Sequence, residues 1–249
     1  MAGRLLIGAL LAACVALAIN GVYQVVRKPT ELFFPVSGVL AKTPQESWRE
    51  YGLAFRRYAT PTIAPELLAA LAQVEGSGNP LVRTYWRWSW APRPFDLYRP
   101  ASSAVGMYQI TDGTFAEARH YCIHHHALTH EGPWNDWHSC WFNGLYMRIV
   151  PRDAIELTAA YLDLKVSNIL ANDRRRAASA LQRQHLAAVV HLCGAGAAAA
   201  YAQRGFRFAD GELCGTHDPR EYLRRVDEMR ESFTRLARAE AEEGGRVAQ

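Results

Sequence analysis

"LLAALAQVEGSGNP", residues 67–80, decides how this chain is read. Leu67, Leu68, Leu71 and Glu75 fall at the three-and-four spacing of one helical face, which sets a carboxylate on an apolar stripe. Gly76, Ser77 and Gly78 stop the helix directly after it, and Pro80 prevents its return. A glutamate so placed has two readings. It is one half of a buried ion pair with a distant arginine, or an acid that burial keeps protonated near neutrality. A protonated carboxyl at a helix end, beside a gap opened by glycines, stands where a general acid is needed.

The surroundings narrow the choice. A chain of 249 residues, 49% hydrophobic and 21% charged, can build one ordinary globular domain with a real core, or two small ones. The formal charge of +4 is mild and scattered. Its one basic run, Arg174-Arg175-Arg176, is too short for a nucleic-acid footprint, so no nucleic-acid partner is expected. Arg4 precedes an apolar segment from Leu5 to about Val26, interrupted by Asn20, Gly21 and Gln24. Three readings of residues 1–26 stay open: a signal peptide cut after Ala16-Leu17-Ala18, a transmembrane anchor, or a lipobox ending at Cys14. All three export the rest of the chain, towards a periplasm or the outer face of an inner membrane.

Apart from Cys14, the cysteines are Cys122, Cys140, Cys193 and Cys214, an even set suited to an oxidising compartment. Cys122–Cys140 and Cys193–Cys214 are the expected bridges, because each pair brackets a loop-rich stretch; four free buried thiols are the alternative. Residues 27–42 read as a linker laid on the domain, 43–240 as the domain itself and 241–249 as a flexible tail. Thr43, Pro44 and Glu46 form a capping box, followed by a Trp48–Tyr51–Phe55–Tyr58 core stripe. Further helices are expected near Thr114 running into "ARHYCIHHH", over Asp153–Ala171, over Ala177–Cys193, and after Asp218 with Tyr222, Val226, Met229 and Phe233 inward. Strand patterns are nearly absent. The fold class is mostly α.

Three motifs in order carry a family resemblance. "ALAQVEGSGNP" resembles the helix-ending Glu-Ser motif of lytic transglycosylases of the soluble lytic transglycosylase type, relatives of goose-type lysozyme. "SSAVGMYQIT" is similar to their Gly-Leu-Met-Gln-Ile turn, and "VHLCG" (190–194) stands where Ala-Tyr-Asn-Ala-Gly is usual. Gly76 separates the acid from Ser77, Tyr108 replaces a methionine, and His191 and Leu192 replace a tyrosine and an asparagine. The resemblance spans roughly residues 62–205. It implies a lysozyme-like α+β fold with a glycan-binding cleft, Glu75 as the catalytic acid, and Ser77, Tyr108, Gln109, Tyr161 and His191 as substrate-contacting residues. The implied partner is peptidoglycan, with opening of the wall for a secretion or conjugation apparatus as the setting.

The implied reaction needs one carboxylate, whereas a hydrolase wants a second at about 5 Å or farther across a water. Asp96, Asp112 and Asp136 are candidates by position, each in a turn-like setting. With one acid, Glu75 protonates the bond between N-acetylmuramic acid and N-acetylglucosamine, and its carboxylate then takes a proton from the 6-hydroxyl to close a 1,6-anhydro ring. No cofactor or metal is required. A lysozyme-like muramidase and a non-catalytic glycan-binding scaffold are the alternatives. "RTYWRWSW" offers aromatic faces for sugars or a packed cap, and His120, Cys122 and His124 lie at ligand-like spacing, although Cys122 is better used in a disulfide.

Overall fold

The computed structural model describes residues 2–33, 35–89, 95–136, 139–172 and 178–247; Trp90 and the Arg174–Arg176 run lie outside them. The chain runs through α1 (Ala2–Arg27), a short 3₁₀ turn (Pro29–Phe33), α2 (Pro44–Tyr58) and α3 (Pro65–Gly76). A two-stranded ribbon, β1 (Trp86–Trp88) and β2 (Tyr98–Pro100), precedes α4 (Asp112–Ala118). A second ribbon, β3 (Tyr121–His124) and β4 (Ala127–His130), precedes α5 (Pro151–Asn172), α6 (Ala180–Gln203) and α7 (Pro219–Val247). The mostly helical expectation holds.

At the centre lies α3. Leu67 through Ala72 are all buried, so this helix is enclosed all round rather than along one stripe. It packs between α2, α5 and α7. The Trp48–Tyr51–Phe55–Tyr58 stripe of α2 is buried as expected, and the capping box at Thr43 and Glu46 is formed. Gln184 of α6 clamps the connection into α3: its amide donates to Thr62 O at 2.7 Å and accepts from Ala64 N at 3.1 Å.

Both expected disulfides are present. Cys122–Cys140 and Cys193–Cys214 have Cα separations of 5.5 and 5.1 Å. Closing loops of 18 and 21 residues, each stabilises by about 3 kcal/mol in the chain-entropy model. The first bridge ties the β3–β4 ribbon to the segment before α5, and the second ties the middle of α6, beside its break at Gly194, to the loop that leads into α7.

Three sequence expectations are corrected. The helix near Thr114 stops at Ala118, and "YCIHHHALTH" is a hairpin whose turn residues His125 and His126 take left-handed φ values of 49° and 63°. Such a turn usually announces itself with Asn or Gly; two histidines hide it. Gly194 does not end α6. It is a break, with φ 80° and ψ 168°, after which the chain resumes helix to Gln203. Finally, α7 continues through Gly244 and Gly245 to Val247, so residues 241–247 extend a helix.

A polar latch joins α6 to α7. His185 Nε2 lies 2.8 Å from Asp227 Oδ2, and Arg230 lies 3.2 Å from Oδ1. Burial alone would push Asp227 up, but the hydrogen bond and charge of His185 together with Arg230 hold it below its ordinary value. A depressed carboxylate contributes stability above its unfolded pKa and loses it as pH falls through the folded value. Asp227→Asn is therefore expected to lower the urea midpoint near neutrality and to flatten the fall in acid. Circular dichroism titrations at neutral and acidic pH read both effects.

Candidate active site

Glu75 occupies the last turn of α3, where enclosure by neighbouring helices stops, and its side chain is 19% exposed. Ser77 then takes the left-handed conformation, with φ 50°, as the C-cap. Its carbonyl accepts from Lys42 N at 2.8 Å, which pins the linker to the helix end. The side chain of Ser77 faces solvent and contacts none of the groups around Glu75 described below.

Gly76 shows why the acid is followed by glycine. A Cβ there would meet Met107 Cα at 2.8 Å and Met107 O at 2.9 Å. The turn containing Gly106, Met107, Tyr108 and Gln109 thus abuts the helix end backbone to backbone. Any side chain at 76 would wedge the two apart.

Two aromatic partners face the acid. Tyr222 of α7 donates its hydroxyl to Glu75 Oε1 at 2.6 Å. His191 of α6 brings Nε2 to 3.7 Å from the same oxygen. Burial, and then the nearby Glu75 charge, push the Tyr222 hydroxyl well above the ordinary tyrosine range, so it remains a donor throughout neutral pH. No arginine or lysine pairs with Glu75 among the described residues; its one possible cationic neighbour there is His191. Oε2 has no protein partner among them.

His191 also borders a cavity of about 170 Å³ with Gln109, Thr114, Thr158, Tyr161 and Gly194. Three of the residues expected to contact substrate, Gln109, Tyr161 and His191, thus line one space. Gln109 has φ 47° and donates its amide nitrogen to Gly106 O at 2.9 Å and Val82 O at 3.3 Å. The side-chain hydroxyl of Thr158, a residue of this wall, is buried without a hydrogen-bond partner. The break at Gly194 ends the first segment of α6 at this wall. Cys193, bridged to Cys214, fixes the wall in place.

Tyr108 corrects the expectation of a cleft contact. It is fully enclosed, its hydroxyl donates to Leu68 O at 3.0 Å, and its ring meets His191 edge-on with centroids 6.4 Å apart. It positions His191 rather than touching a ligand. Asp96 and Asp112 are engaged in pairs with Arg27 at 3.2 Å and Arg148 at 2.8 Å, and Asp136 lies exposed in the turn whose carbonyl accepts from Ser139. None is a partner of Glu75.

A larger cavity, about 410 Å³, opens elsewhere, between α2, the first disulfide and α5. Its polar groups bond one another: Glu156 accepts from Ile123 N at 3.0 Å and Tyr146 Oη at 2.8 Å, and Arg152 donates to Tyr58 at 2.6 Å. Its size exceeds that of the cavity bordered by His191, but its buried carboxylate is already bonded twice. Ligand atoms of Cys122, His124 and Cys140 lie within 4.8 Å of one another at its edge. Both sulfurs are committed to the disulfide, which leaves no thiolate for a metal. His120 pairs instead with Glu131.

Sequence reasoning missed Tyr222 and Thr158. Each sits on a helix at core spacing, where a single hydroxyl gives no periodic signal. Neither models of known families, nor curated proteins, nor solved structures give a match to this chain.

Gly76→Ala is expected to cost about 1–3 kcal/mol, the range for forcing atoms into a filled space. It should also displace Met107 from the helix end. Thermal unfolding reads the first effect. Loss of any Glu75-dependent activity beyond the loss of folded protein reads the second.

Proposed function

We propose that this chain is an exported peptidoglycan lytic transglycosylase, acting in a periplasm, with Glu75 as its acid and base. The supporting observation is the environment of one carboxylate. Glu75 ends a buried helix and has a hydroxyl and an imidazole for neighbours instead of a fixed cation. His191, its neighbour, also borders a cavity lined by Gln109 and Tyr161. An N-terminal apolar helix and two disulfides suit an exported protein.

The chemistry divides between the two carboxyl oxygens. Oε1 is held by Tyr222, which fixes the rotamer. Oε2 is the oxygen left to deliver a proton to the glycosidic bridge between N-acetylmuramic acid and N-acetylglucosamine. The bond breaks towards the bridging oxygen, and the muramoyl N-acetyl group supports the oxocarbenium-like centre. Glu75, now ionised, takes the proton of the 6-hydroxyl as that oxygen closes the 1,6-anhydro ring. Protons balance, and no water enters. Tyr222 stabilises the carboxylate between the two transfers. The engagement of Asp96 and Asp112 in ion pairs favours this one-acid route over hydrolysis.

Clearing zones on murein-containing gels are expected for the wild type and absent for Glu75→Gln. Mass spectrometry of the soluble muropeptides is expected to find 1,6-anhydro ends; reducing ends would make the enzyme a muramidase, and no clearing by either chain would make it a scaffold.

Tyr222→Phe removes a hydrogen bond to a charged group, worth about 1.5–3 kcal/mol. Its expected effect is a fall of roughly ten- to a hundredfold in kcat with KM little changed. Digestion of purified murein measures this.

A further inference from the structure

The polar residues that interrupt the apolar N-terminal helix dock it to the domain. Asn20 donates to Tyr98 O at 2.5 Å, and Gln24 donates to Phe95 O at 2.8 Å and to Asp96 at 3.1 Å. Arg27 reaches Asp96 at 3.2 Å, and the rings of Tyr23 and Phe95 lie 5.4 Å apart. The β1–β2 ribbon is thereby joined to the last two turns of α1. The large apolar side chains from Leu5 to Ile19, with Val22 and Val26, are exposed. From Ala2 to Ile19 the helix is about 27 Å long at 1.5 Å per residue, close to the roughly 30 Å of a bilayer's hydrocarbon core.

A cavity of about 380 Å³ lies at the foot of this helix, with Gln24, Arg27 and Lys28 on one side and Arg87, Arg99 and Ser102 on the other. Most cations near it have partners: Arg27 has Asp96, Lys28 has Glu31 at 3.1 Å, and Arg148 has Asp112. Arg87 and Arg99 have no carboxylate partner among the described residues. They are also directly opposite each other in the β1–β2 register, on the face away from Trp86, Trp88 and Tyr98. Like charges facing across a ribbon repel. The Nε of Arg99 is buried without an acceptor. An anion between the two guanidinium groups would answer both defects, and a phosphate matches their donor geometry.

We propose that this cavity binds the phosphate headgroup of an anionic phospholipid, whose acyl chains lie along the exposed face of α1. Headgroup phosphates sit just outside the hydrocarbon core, at the level where α1 passes from Ile19 to Lys28. Tyr85, at 73% exposure, and Trp88, at 62% on the opposite face of the ribbon, are exposed amphipathic side chains suited to that boundary. The linker continues the attachment: Glu31 accepts from Trp86 at 2.8 Å and pairs with Arg83 at 3.2 Å, and Arg83 belongs to the segment that follows Glu75. The anchor, the lipid site and the loop beyond the acid form one connected unit. This reading does not depend on what Glu75 does.

Native mass spectrometry of the full chain, released from micelles with equal amounts of dioleoylphosphatidylglycerol and dioleoylphosphatidylcholine, tests it. The wild type is expected to retain the anionic lipid about tenfold over the zwitterionic one, in line with two basic groups at a membrane surface. Arg87→Gln/Arg99→Gln is expected to fall to parity, while Arg235→Gln/Arg238→Gln, which removes equal charge from α7, keeps the preference. If the double variant fails to fold by circular dichroism, the single variants serve, each expected to lose several-fold. Parity in the wild type, or an undiminished preference in the Arg87/Arg99 variants, overturns the proposal. Full displacement of the lipid by excess inorganic phosphate also overturns it, as a site for free anions. So does an exported chain whose intact mass shows cleavage after Ala18.

Discussion

A helix enclosed on every side can bring only its ends near water, and that constraint organises this protein. Leu67 to Ala72 are walled in by α2, α5 and α7, so the first position of α3 that reaches solvent again is in its last turn. Glu75 stands there. The same enclosure that secures the core thus limits how a carboxylate can be presented: half-sheltered, rotationally fixed and open on one oxygen. The backbone contact between Gly76 and Met107 then sets the depth of the turn that faces it.

The acid is met by two elements that are distant in sequence. Tyr222 arrives from α7, 147 positions on, and His191 from α6. Cys193–Cys214 covalently joins the segments that carry them, and the His185–Asp227 latch joins the same two helices a little further along. Two unrelated kinds of bond therefore guard one spacing. A hydroxyl whose own ionisation is suppressed is a dependable donor, and Tyr222 holds one oxygen of the Glu75 side chain in place.

The N-terminal helix is more than a hydrophobic stretch with two flaws. Asn20 and Gln24 lie four residues apart, on one face, and meet the ribbon that carries Arg87 and Arg99. Polar side chains in an apolar helix are costly unless partnered. Here the carbonyls of Tyr98 in the ribbon and of Phe95 just before it accept from these amides, and the docking places a basic cavity where the helix leaves its apolar span.

The sequence by itself determined what repeats along the chain or is set by neighbours. Helical spacing gave α2, α3, α5 and most of α7, the capping box fixed the start of α2, and the cysteine spacing gave both bridges. Glu75 followed from its place on the stripe and the glycines after it. Tertiary structure decided what depends on contact at a distance. Tyr222 and Thr158 looked like core positions until folding set one hydroxyl against the acid and left the other facing a cavity, while Tyr108 went the opposite way and was sealed inside. The β3–β4 hairpin was hidden because two histidines adopt a turn conformation that residue type rarely signals. The reason is physical: periodicity records which face of an element is buried, whereas the atom a buried side chain meets is set by packing between elements whose spacing no local pattern encodes.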